Sequence, residues 1–204
     1  MMHTYLALGD SYTIGEQVPL HESFPYQLVQ MLREEGIKIH APEIVAKTGW
    51  TSNELIDQII HTKLLEHYDL VTLLIGVNNQ YRKRPVEDFI PELELLLTKA
   101  VRFAGGNPSH VIMLSIPDWG VTPFAKDKDA KEIAKEIDEY NKACATAAEK
   151  AGVHFIDITT SQRKNGAQVD FLAGDGLHPS GREYKKWAEA VKKKALEIKT
   201  LQRH

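Results

Sequence analysis

The chain has 204 residues, a formal net charge of −3, and 43% hydrophobic and 26% charged residues. This composition is that of an ordinary globular protein, and the chain is long enough to stabilise itself without disulfides or metals. The balanced charge produces no strong field, and the basic runs 82–84 and 192–194 are short and lack interleaved aromatic residues. We therefore expect no nucleic-acid partner.

The N-terminal residues Met1–Thr4 lead directly into an apolar run, without the basic start and long apolar core of a secretion signal. No window approaches the roughly 18 consecutive apolar residues of a membrane span. The single cysteine, Cys144, cannot form an internal disulfide, which fits a reducing compartment. These features predict a cytoplasmic protein with no membrane partner, and they do not indicate its oligomeric state.

Short apolar runs bounded by turn residues alternate along the chain with longer amphipathic segments. The short runs predict buried strands at Tyr5–Leu8, Ile44–Ala46, Leu70–Ile75, Val111–Ile116 and Val153–Ile158. The second of these is the weakest candidate. Pro42, just before it, suits the edge of a sheet better than its centre.

The amphipathic segments predict helices with recognisable ends. In chain order, the signals are Pro25 in a first turn and Gly36 as a stop, a capping box at Thr51 and Glu54, Pro85 before a run that ends at Gly105, Gly152 as a C-cap, and a second capping box at Ser180 and Glu183. This alternation predicts an α/β protein whose parallel sheet is covered by helices on both faces. In the absence of a linker, repeat or low-complexity segment, we expect residues 1–204 to form one domain.

Ligands of an open parallel sheet bind beyond the carboxyl ends of its strands, so chemistry is expected in the turns that follow the strands. Ser11 follows the first predicted strand in the segment Gly9-Asp10-Ser11, where its hydroxyl can face a cleft. Taken alone, this motif favours an ordinary helix cap. The G-x-S-x-G elbow of α/β-hydrolases is absent, because no glycine stands two residues after Ser11.

Asp175 and His178 occur together on the turn that enters the last predicted helix. A carboxylate three residues before a histidine can orient the ring and stabilise the imidazolium that forms when the histidine accepts a proton. If this pair has no catalytic function, His178 is simply an exposed histidine on the turn that enters the helix. A metal site at Asp10, Asp175 and His178 is a third interpretation, but no further group has recognised ligand spacing and no H-E-x-x-H motif occurs.

Two further turns carry groups that can bind a developing negative charge on oxygen. Asn78 follows the strand predicted at Leu70–Ile75, and its side-chain amide is a neutral donor. Gly49 allows its backbone N–H to approach a ligand closely. Both residue types are also common in turns that have no function.

Taken together and in this order, these segments resemble the motifs of the SGNH hydrolase superfamily, the GDSL-like esterases and lipases. The matching blocks are Ala7–Gly15, the surroundings of Gly49, Gly76–Asn79 and Asp175–His178. The resemblance implies a three-layer α/β/α sandwich of flavodoxin-like topology. Its central sheet would have five parallel strands in the order 2-1-3-4-5, which places Ile44–Ala46 at an edge.

The resemblance also implies the roles of the site residues. Ser11 would be the nucleophile, His178 the general base, and Asp175 the residue that orients His178. The backbone N–H groups of Ser11 and Gly49 and the side chain of Asn78 would form the oxyanion hole. Neither a metal nor another cofactor is implied.

The sequence departs from the family pattern at two positions. Tyr12 stands where leucine or isoleucine is usual, a position that we expect to pack rather than react. Asn79 replaces the usual aspartate after the oxyanion asparagine. If that carboxylate normally steadies its loop, the amide of Asn79 must do so through other hydrogen bonds.

The substrate is less well defined by the sequence. Trp50, Tyr81, Trp119 and Phe124 lie in loops near the predicted site and are candidates for lining an acyl or aryl pocket, although packing within the loops explains each equally well. The Pro117–Phe124 loop lacks the long apolar lid of a triglyceride lipase, so we expect the partner to be a small, soluble short-chain ester. Carbohydrate deacetylation, lysophospholipid cleavage and thioester cleavage are alternatives. From other classes, the alternatives are a non-catalytic flavodoxin-like binding module and a metal-dependent hydrolase.

Overall fold

The computed structural model describes residues 2–201. The strands found there are β1 (Tyr5–Asp10), β2 (Glu43–Lys47), β3 (Leu70–Leu74), β4 (Val111–Leu114) and β5 (His154–Ile156). The helices of this part of the chain are α1 (Ser11–Ile14), α2 (Phe24–Glu34), α3 (Ser52–His61), α4 (Val77–Tyr81), α5 (Val86–Phe103), α6 (Ala130–Ala151), α7 (Thr159–Asn165) and α8 (Gly181–Ala195). All strand pairs are parallel, and their order is β2-β1-β3-β4-β5. The predicted α/β fold with a five-stranded, flavodoxin-like sheet is confirmed.

The strand order explains why helices cover both faces of the sheet. The chain passes from β1 through α2 to β2 on one side, and then returns through α3 to β3 on the other side of β1. Because parallel crossovers are right-handed, this reversal places α2 on one face and α3, α5 and α6 on the other. Accordingly, α2 packs against α8, whereas α5 packs against α3 and α6. The reversal also opens a crevice beyond the ends of β1 and β3.

Burial follows the position of each strand in the sheet. Every residue of β1, β3 and β4 is buried, because helices cover these strands on both faces. Strand β2, which follows Pro42, is only partly buried and lies at an edge, as predicted. Cys144 is buried in α6.

The predicted strand ends need correction. Strands β1 and β2 are longer than Tyr5–Leu8 and Ile44–Ala46, because their pairing continues to Asp10 and Lys47. The predictions Leu70–Ile75, Val111–Ile116 and Val153–Ile158 are too long, although all their terminal residues are buried. The N–H of Ile116 donates to the Asn141 side chain (2.8 Å). The N–H of Val153 donates to the carbonyl of Ala148 in the last turn of α6 (3.0 Å). Apolar runs therefore mark burial, which extends beyond the ladder of strand pairing.

The helix signals are confirmed with one exception. Thr51 and Glu54 form the predicted capping box at α3, and Gly152 caps α6 in a left-handed conformation. Helix α8 begins after Ser180 as predicted, but the capping box of Ser180 and Glu183 does not form. The Ser180 hydroxyl instead donates to the Asp170 carbonyl (2.7 Å).

The carboxylate of Glu183 is buried between α7 and α8, where it has other partners. It accepts hydrogen bonds from Ser161 (2.8 Å), Asn165 (3.1 Å) and the indole of Trp187 (3.1 Å). Its side chain therefore joins two helices and cannot also return to the N-terminus of its own helix.

A polar network centred on Ser52 joins α3, α4 and α5. The Asn79 side chain accepts from the Ser52 backbone N–H (3.0 Å) and donates to the Ser52 hydroxyl (Nδ2 to Oγ, 2.6 Å). That hydroxyl donates in turn to Glu92, which also binds Arg84 (2.7 Å). Asn79 thus steadies the loop through other hydrogen bonds, as its departure from the family pattern requires.

Gly9 is required by the packing of β1 against β3. A Cβ at this position would lie 2.0 Å from Thr13 Oγ1 and 2.5 Å from the backbone oxygen of Leu74. Because backbone cannot move aside cheaply, we expect Gly9→Ala to lower the free energy of unfolding by about 2–3 kcal/mol. Urea denaturation measures this change. The control is Gly174→Ala, which adds a Cβ with no neighbour within 4 Å, and equal losses in the two variants would contradict the prediction.

The Ser52 hydroxyl has one proton, which it donates in its hydrogen bond to Glu92. Residue 79 must therefore act as the donor in its own hydrogen bond to the Ser52 oxygen. Asn79→Asp would place two carboxylates on one hydroxyl. We expect this variant to lose about 1–3 kcal/mol of unfolding free energy.

The second variant in this test is Asn79→Asp combined with Glu92→Gln, which exchanges the donor and the acceptor around Ser52. We expect it to recover much of the loss, and a double-mutant cycle by urea denaturation measures the coupling. If the losses of unfolding free energy in the two single variants simply add in the double variant, the match of donors and acceptors around Ser52 does not determine the stability of this network.

Candidate active site

Ser11 lies at the junction where β1 ends and α1 begins. The Asp10 carboxylate caps α1 by accepting a hydrogen bond from the Tyr12 backbone N–H (3.0 Å). Gly15 ends the helix after one turn in a left-handed conformation, with a φ of 73°. As the first residue of a helix, Ser11 has a backbone N–H without an acceptor inside that helix.

The three predicted catalytic residues lie in one row of hydrogen bonds. Ser11 Oγ is 3.0 Å from His178 Nε2, and His178 Nδ1 is 2.6 Å from Asp175 Oδ2. The other oxygen of Asp175 accepts from the backbone N–H groups of Leu177 and His178, each at 3.0 Å. Ser11 and His178 are buried, whereas the Asp175 side chain is 27% exposed. This arrangement allows the imidazole to take a proton from the serine hydroxyl while the carboxylate holds the ring.

Asp175, in this row, and Asp10, next to Ser11, have opposite pKa shifts. Burial acts to raise the pKa of Asp175, but hydrogen bonds from His178 and from the backbone outweigh it, and the pKa lies below its usual value. Asp175 is therefore an anion beside the imidazole at neutral pH. For Asp10, burial dominates over the hydrogen bond from Tyr12 and raises the pKa to about 7.

The predicted oxyanion residues lie close to Ser11. Gly49 follows β2 with a φ of 83°, a conformation that favours glycine. Asn78 is the second residue of α4, and its Nδ2 donates to the carbonyl of Trp50 (3.0 Å) and lies 3.5 Å from Asp10 Oδ2. Ser11, Gly49 and Asn78 all line one cavity.

That cavity has a volume of about 180 Å³ and is lined by Ser11 and His178 of the hydrogen-bonded row and by an aromatic wall. Its lining residues are Ser11, Tyr12, Thr48, Gly49, Val77, Asn78, Tyr81, Trp119, Phe124, Leu177 and His178. In the wall, the ring centroid of Trp119 lies 5.2 Å from that of Tyr81 and 6.1 Å from that of Phe124. Three of the four predicted pocket residues thus line the cavity.

Trp50, the fourth predicted pocket residue, has a different position. Its side chain packs against the hydrophobic core and is not part of the cavity lining, while its backbone carbonyl accepts from Asn78. A tryptophan directly after Gly49 appears close to the site in sequence, but the turn before α3 directs its ring away from the cavity.

Several residues of the site have contacts that the sequence did not predict. Tyr12, expected only to pack, lines the cavity and lies with its ring centroid 5.1 Å from that of His178. The Gln80 side chain accepts a hydrogen bond from the indole N–H of Trp119 (2.7 Å), and Arg82 donates one to the carbonyl of Gly49 (2.6 Å). The available signal was position, since Gln80 and Arg82 follow Asn78 within one turn of helix.

Metal ligation and membrane insertion can be examined only within residues 2–201. There, no group of three or more His, Cys, Asp or Glu side chains is arranged to hold a metal ion. In the same range, no helix is both long enough and apolar enough to cross a bilayer.

Solved structures with the same fold match nearly the whole chain. A protein described as a putative lipolytic protein of the G-D-S-L family from Desulfitobacterium hafniense DCB-2 has a TM-score of 0.72 and 18% identity, over 94% of this chain and 99% of the other. A psychrotrophic esterase from Pseudoalteromonas, in a structure inhibited by monoethylphosphonate, has a TM-score of 0.66 and 17% identity, over 98% and 100%. An acetyl xylan esterase variant from Geobacillus stearothermophilus has a TM-score of 0.67 and 19% identity, over 95% and 94%.

At these identities the structural matches establish the fold alone. A comparison with curated protein sequences found no significant match. The model of the GDSL-like lipase/acylhydrolase family, however, matches residues 7–186, which include all the segments that form the site. The chain therefore belongs to the GDSL-like lipase/acylhydrolase family and is a hydrolase of ester bonds.

Proposed function

We propose that this chain is a serine esterase that cleaves a short-chain carboxylic ester through an acyl-enzyme intermediate. The observation that carries the proposal is the continuous row of hydrogen bonds from Ser11 through His178 to Asp175. This row borders a cavity that Gly49 and Asn78 also line. A nucleophile, its base and two candidate oxyanion donors therefore surround one space large enough for a small substrate, and the orienting anion is hydrogen-bonded to the base.

In the acylation step, Ser11 Oγ attacks the carbonyl carbon of the ester while its proton passes to His178 Nε2. Asp175 stabilises the imidazolium that results. When the tetrahedral intermediate collapses, the bond to the leaving alcohol breaks and His178 gives that alcohol its proton. In the second half, His178 activates water, which attacks the acyl-enzyme and releases the carboxylic acid with Ser11 restored.

The developing oxyanion would be held by the backbone N–H groups of Ser11 and Gly49 and by the Asn78 side chain. Asn78 Nδ2 carries two protons, and one of them is used on the carbonyl of Trp50. The second is engaged only in a long contact with Asp10 Oδ2 (Nδ2 to Oδ2, 3.5 Å), which a substrate oxygen would replace. The same bond to Trp50 fixes the direction of the amide, which is the preorganisation that makes such donors effective.

The dimensions of the cavity support a small acyl group. Its volume of about 180 Å³ is closed on one side by the rings of Tyr81, Trp119 and Phe124. An acetyl group is small enough for such a cavity, and one structure with the same fold is an acetyl xylan esterase. Acetylated carbohydrates therefore belong among the substrates to test, together with lysophospholipids and acyl thioesters.

We expect the wild-type protein to hydrolyse p-nitrophenyl acetate and butyrate faster than the octanoate in the presence of a chelator. Ser11→Ala should reduce these rates by at least about a thousandfold, because no other group can form the acyl-enzyme. Release of p-nitrophenolate measures both effects. Ser109→Ala is the control, since this exposed serine lies directly before β4, at the amino ends of the strands and away from the site.

Several results would contradict parts of this proposal. Equal rates in the wild type and Ser11→Ala would exclude the serine mechanism, and activity that disappears with the chelator and returns with added metal would favour a metal-dependent hydrolase. A faster octanoate reaction would refute the preference for short acyl groups. Failure of a reactive organophosphonate to label Ser11, seen by mass spectrometry, would favour a non-catalytic binding module.

The raised pKa of Asp10 makes stability depend on pH. Between pH 4 and pH 7 the folded protein keeps a proton on Asp10 that the unfolded chain has released, so ionisation destabilises the fold as the pH rises. Each unit of pKa difference corresponds to about 1.4 kcal/mol. We therefore expect Asp10→Asn to gain stability relative to the wild type as the pH is raised from about 4 to about 8.

Urea denaturation of both proteins across this pH range measures the difference. The control is Asp127→Asn, which removes an exposed carboxylate. A difference between the wild type and Asp10→Asn that stays constant with pH would show that Asp10 ionises at its ordinary value in the folded protein.

A further inference from the structure

The segment Gly49–Thr51 connects β2 to α3 and carries the backbone N–H assigned to the oxyanion hole. Each of its three residues is held from outside the segment. The carbonyl of Gly49 accepts from Arg82 Nη2 (2.6 Å), and that of Trp50 accepts from Asn78. The N–H of Thr51 donates to Glu54 Oε2 (2.8 Å).

Arg82 is the residue that joins two of these supports. Its Nη2 binds Gly49, while its Nη1 lies 3.3 Å from the same Glu54 oxygen that receives the N–H of Thr51. A single guanidinium therefore fixes the segment at both ends. Its planar arrangement of donors suits this double contact, which the point charge of a lysine cannot reproduce.

Gly49 needs such support because glycine has little conformational preference of its own. With a φ of 83° it lies in a region that other residues rarely adopt, so the neighbouring contacts must select this conformation. The Arg82 guanidinium lies directly against it, since a Cβ at residue 49 would be 3.7 Å from Arg82 Nη2. A rotation of this backbone would change the direction of the Gly49 N–H relative to the cavity that Gly49 lines.

We propose that Arg82 is a positioning residue of the oxyanion hole, which, with Glu54, keeps the backbone N–H of Gly49 directed at the substrate oxygen. This inference rests on the proposed function. Arg82 does not line the cavity, so it acts through Gly49 rather than on the substrate. The alternative is that Arg82 attracts an anionic substrate, which would change KM rather than the rate of the chemical step.

The exposure of this pair separates a positioning role from a structural one. The side chains of Arg82 and Glu54 are 49% and 39% exposed, and exposed ion pairs contribute little to stability. Loss of Arg82 should therefore leave the fold intact. Its effect should appear in the rate, because removal of a whole oxyanion donor costs about a hundred- to a thousandfold and misdirection of one costs part of that.

The test compares Arg82→Met with Arg82→Lys and with Arg102→Met. The last variant removes the same charge from an exposed arginine in the last turn of α5, near the amino ends of the strands and away from the site. One readout is the rate at which a p-nitrophenyl alkylphosphonate labels Ser11, because attack by Ser11 Oγ expels p-nitrophenolate and leaves a phosphoryl oxygen for the oxyanion hole. The other is kcat and KM for p-nitrophenyl acetate, with urea denaturation as the check on folding.

We expect Arg82→Met to lower both kcat and the labelling rate by about tenfold, with KM changed by less than about twofold. Arg82→Lys should recover part of the loss, and so should millimolar guanidinium added to Arg82→Met. Arg102→Met should behave as the wild type. If Arg82→Met proves unfolded, Glu54→Gln tests the same support, because it removes the ion pair while its amide oxygen can still accept from Thr51.

Labelling and kcat that are unchanged in Arg82→Met would overturn the inference and leave the serine mechanism standing. A rise in KM confined to anionic esters, with unchanged labelling, would overturn it in favour of substrate attraction. A wild-type protein that the phosphonate does not label, and that hydrolyses esters no faster than Ser11→Ala, would overturn the proposed function and this inference together.

Discussion

The hydrogen bond between Ser11 and His178 joins residues 167 positions apart, and the rest of the site depends on it. Ser11 is fixed because β1 is paired on both sides, with β2 and with β3. His178 is fixed because α8, which follows it, packs against α2. Trp187 of α8 lies at the centre of that contact, with ring centroids 6.2 Å from Tyr12 and 6.4 Å from Phe24. The 3.0 Å contact is thus a consequence of apolar packing beneath the site.

The other side of the site is held by a different kind of interaction. Gly49 lies on the loop after β2 and Asn78 on the short helix α4, and hydrogen bonds hold both segments. Arg82 donates to the Gly49 carbonyl, and Asn79, the neighbour of Asn78, binds Ser52. Polar contacts of this kind fix direction more strictly than apolar packing does, because they require both distance and angle. This division suits the proposed chemistry, since oxyanion donors must point at one atom whereas the base must only reach a hydroxyl.

Much of this architecture could be predicted from the sequence, because local patterns carry it. Apolar runs marked the strands, and Asp175 and His178 are close enough in the chain to pair on one turn. The resemblance to a known family then implied the roles proposed for Ser11, Gly49 and Asn78. The orientation of Trp50, the partners of Glu183 and the support from Arg82 could not be predicted, because each depends on residues that only the fold brings together.

The aromatic wall proposed to contact the substrate is held by different residues from those of the proposed catalytic row. Trp119, on the cavity wall, has its indole N–H satisfied by Gln80, whose own amide donates to Glu136 (2.6 Å). The preceding residue, Asp118, is buried and paired with Arg163 (2.8 Å). Because the indole N–H is already bonded to Gln80, the wall offers the substrate apolar aromatic surface. Changes around Gln80 or Arg163 can therefore reshape the pocket without touching Ser11, His178 or Asp175.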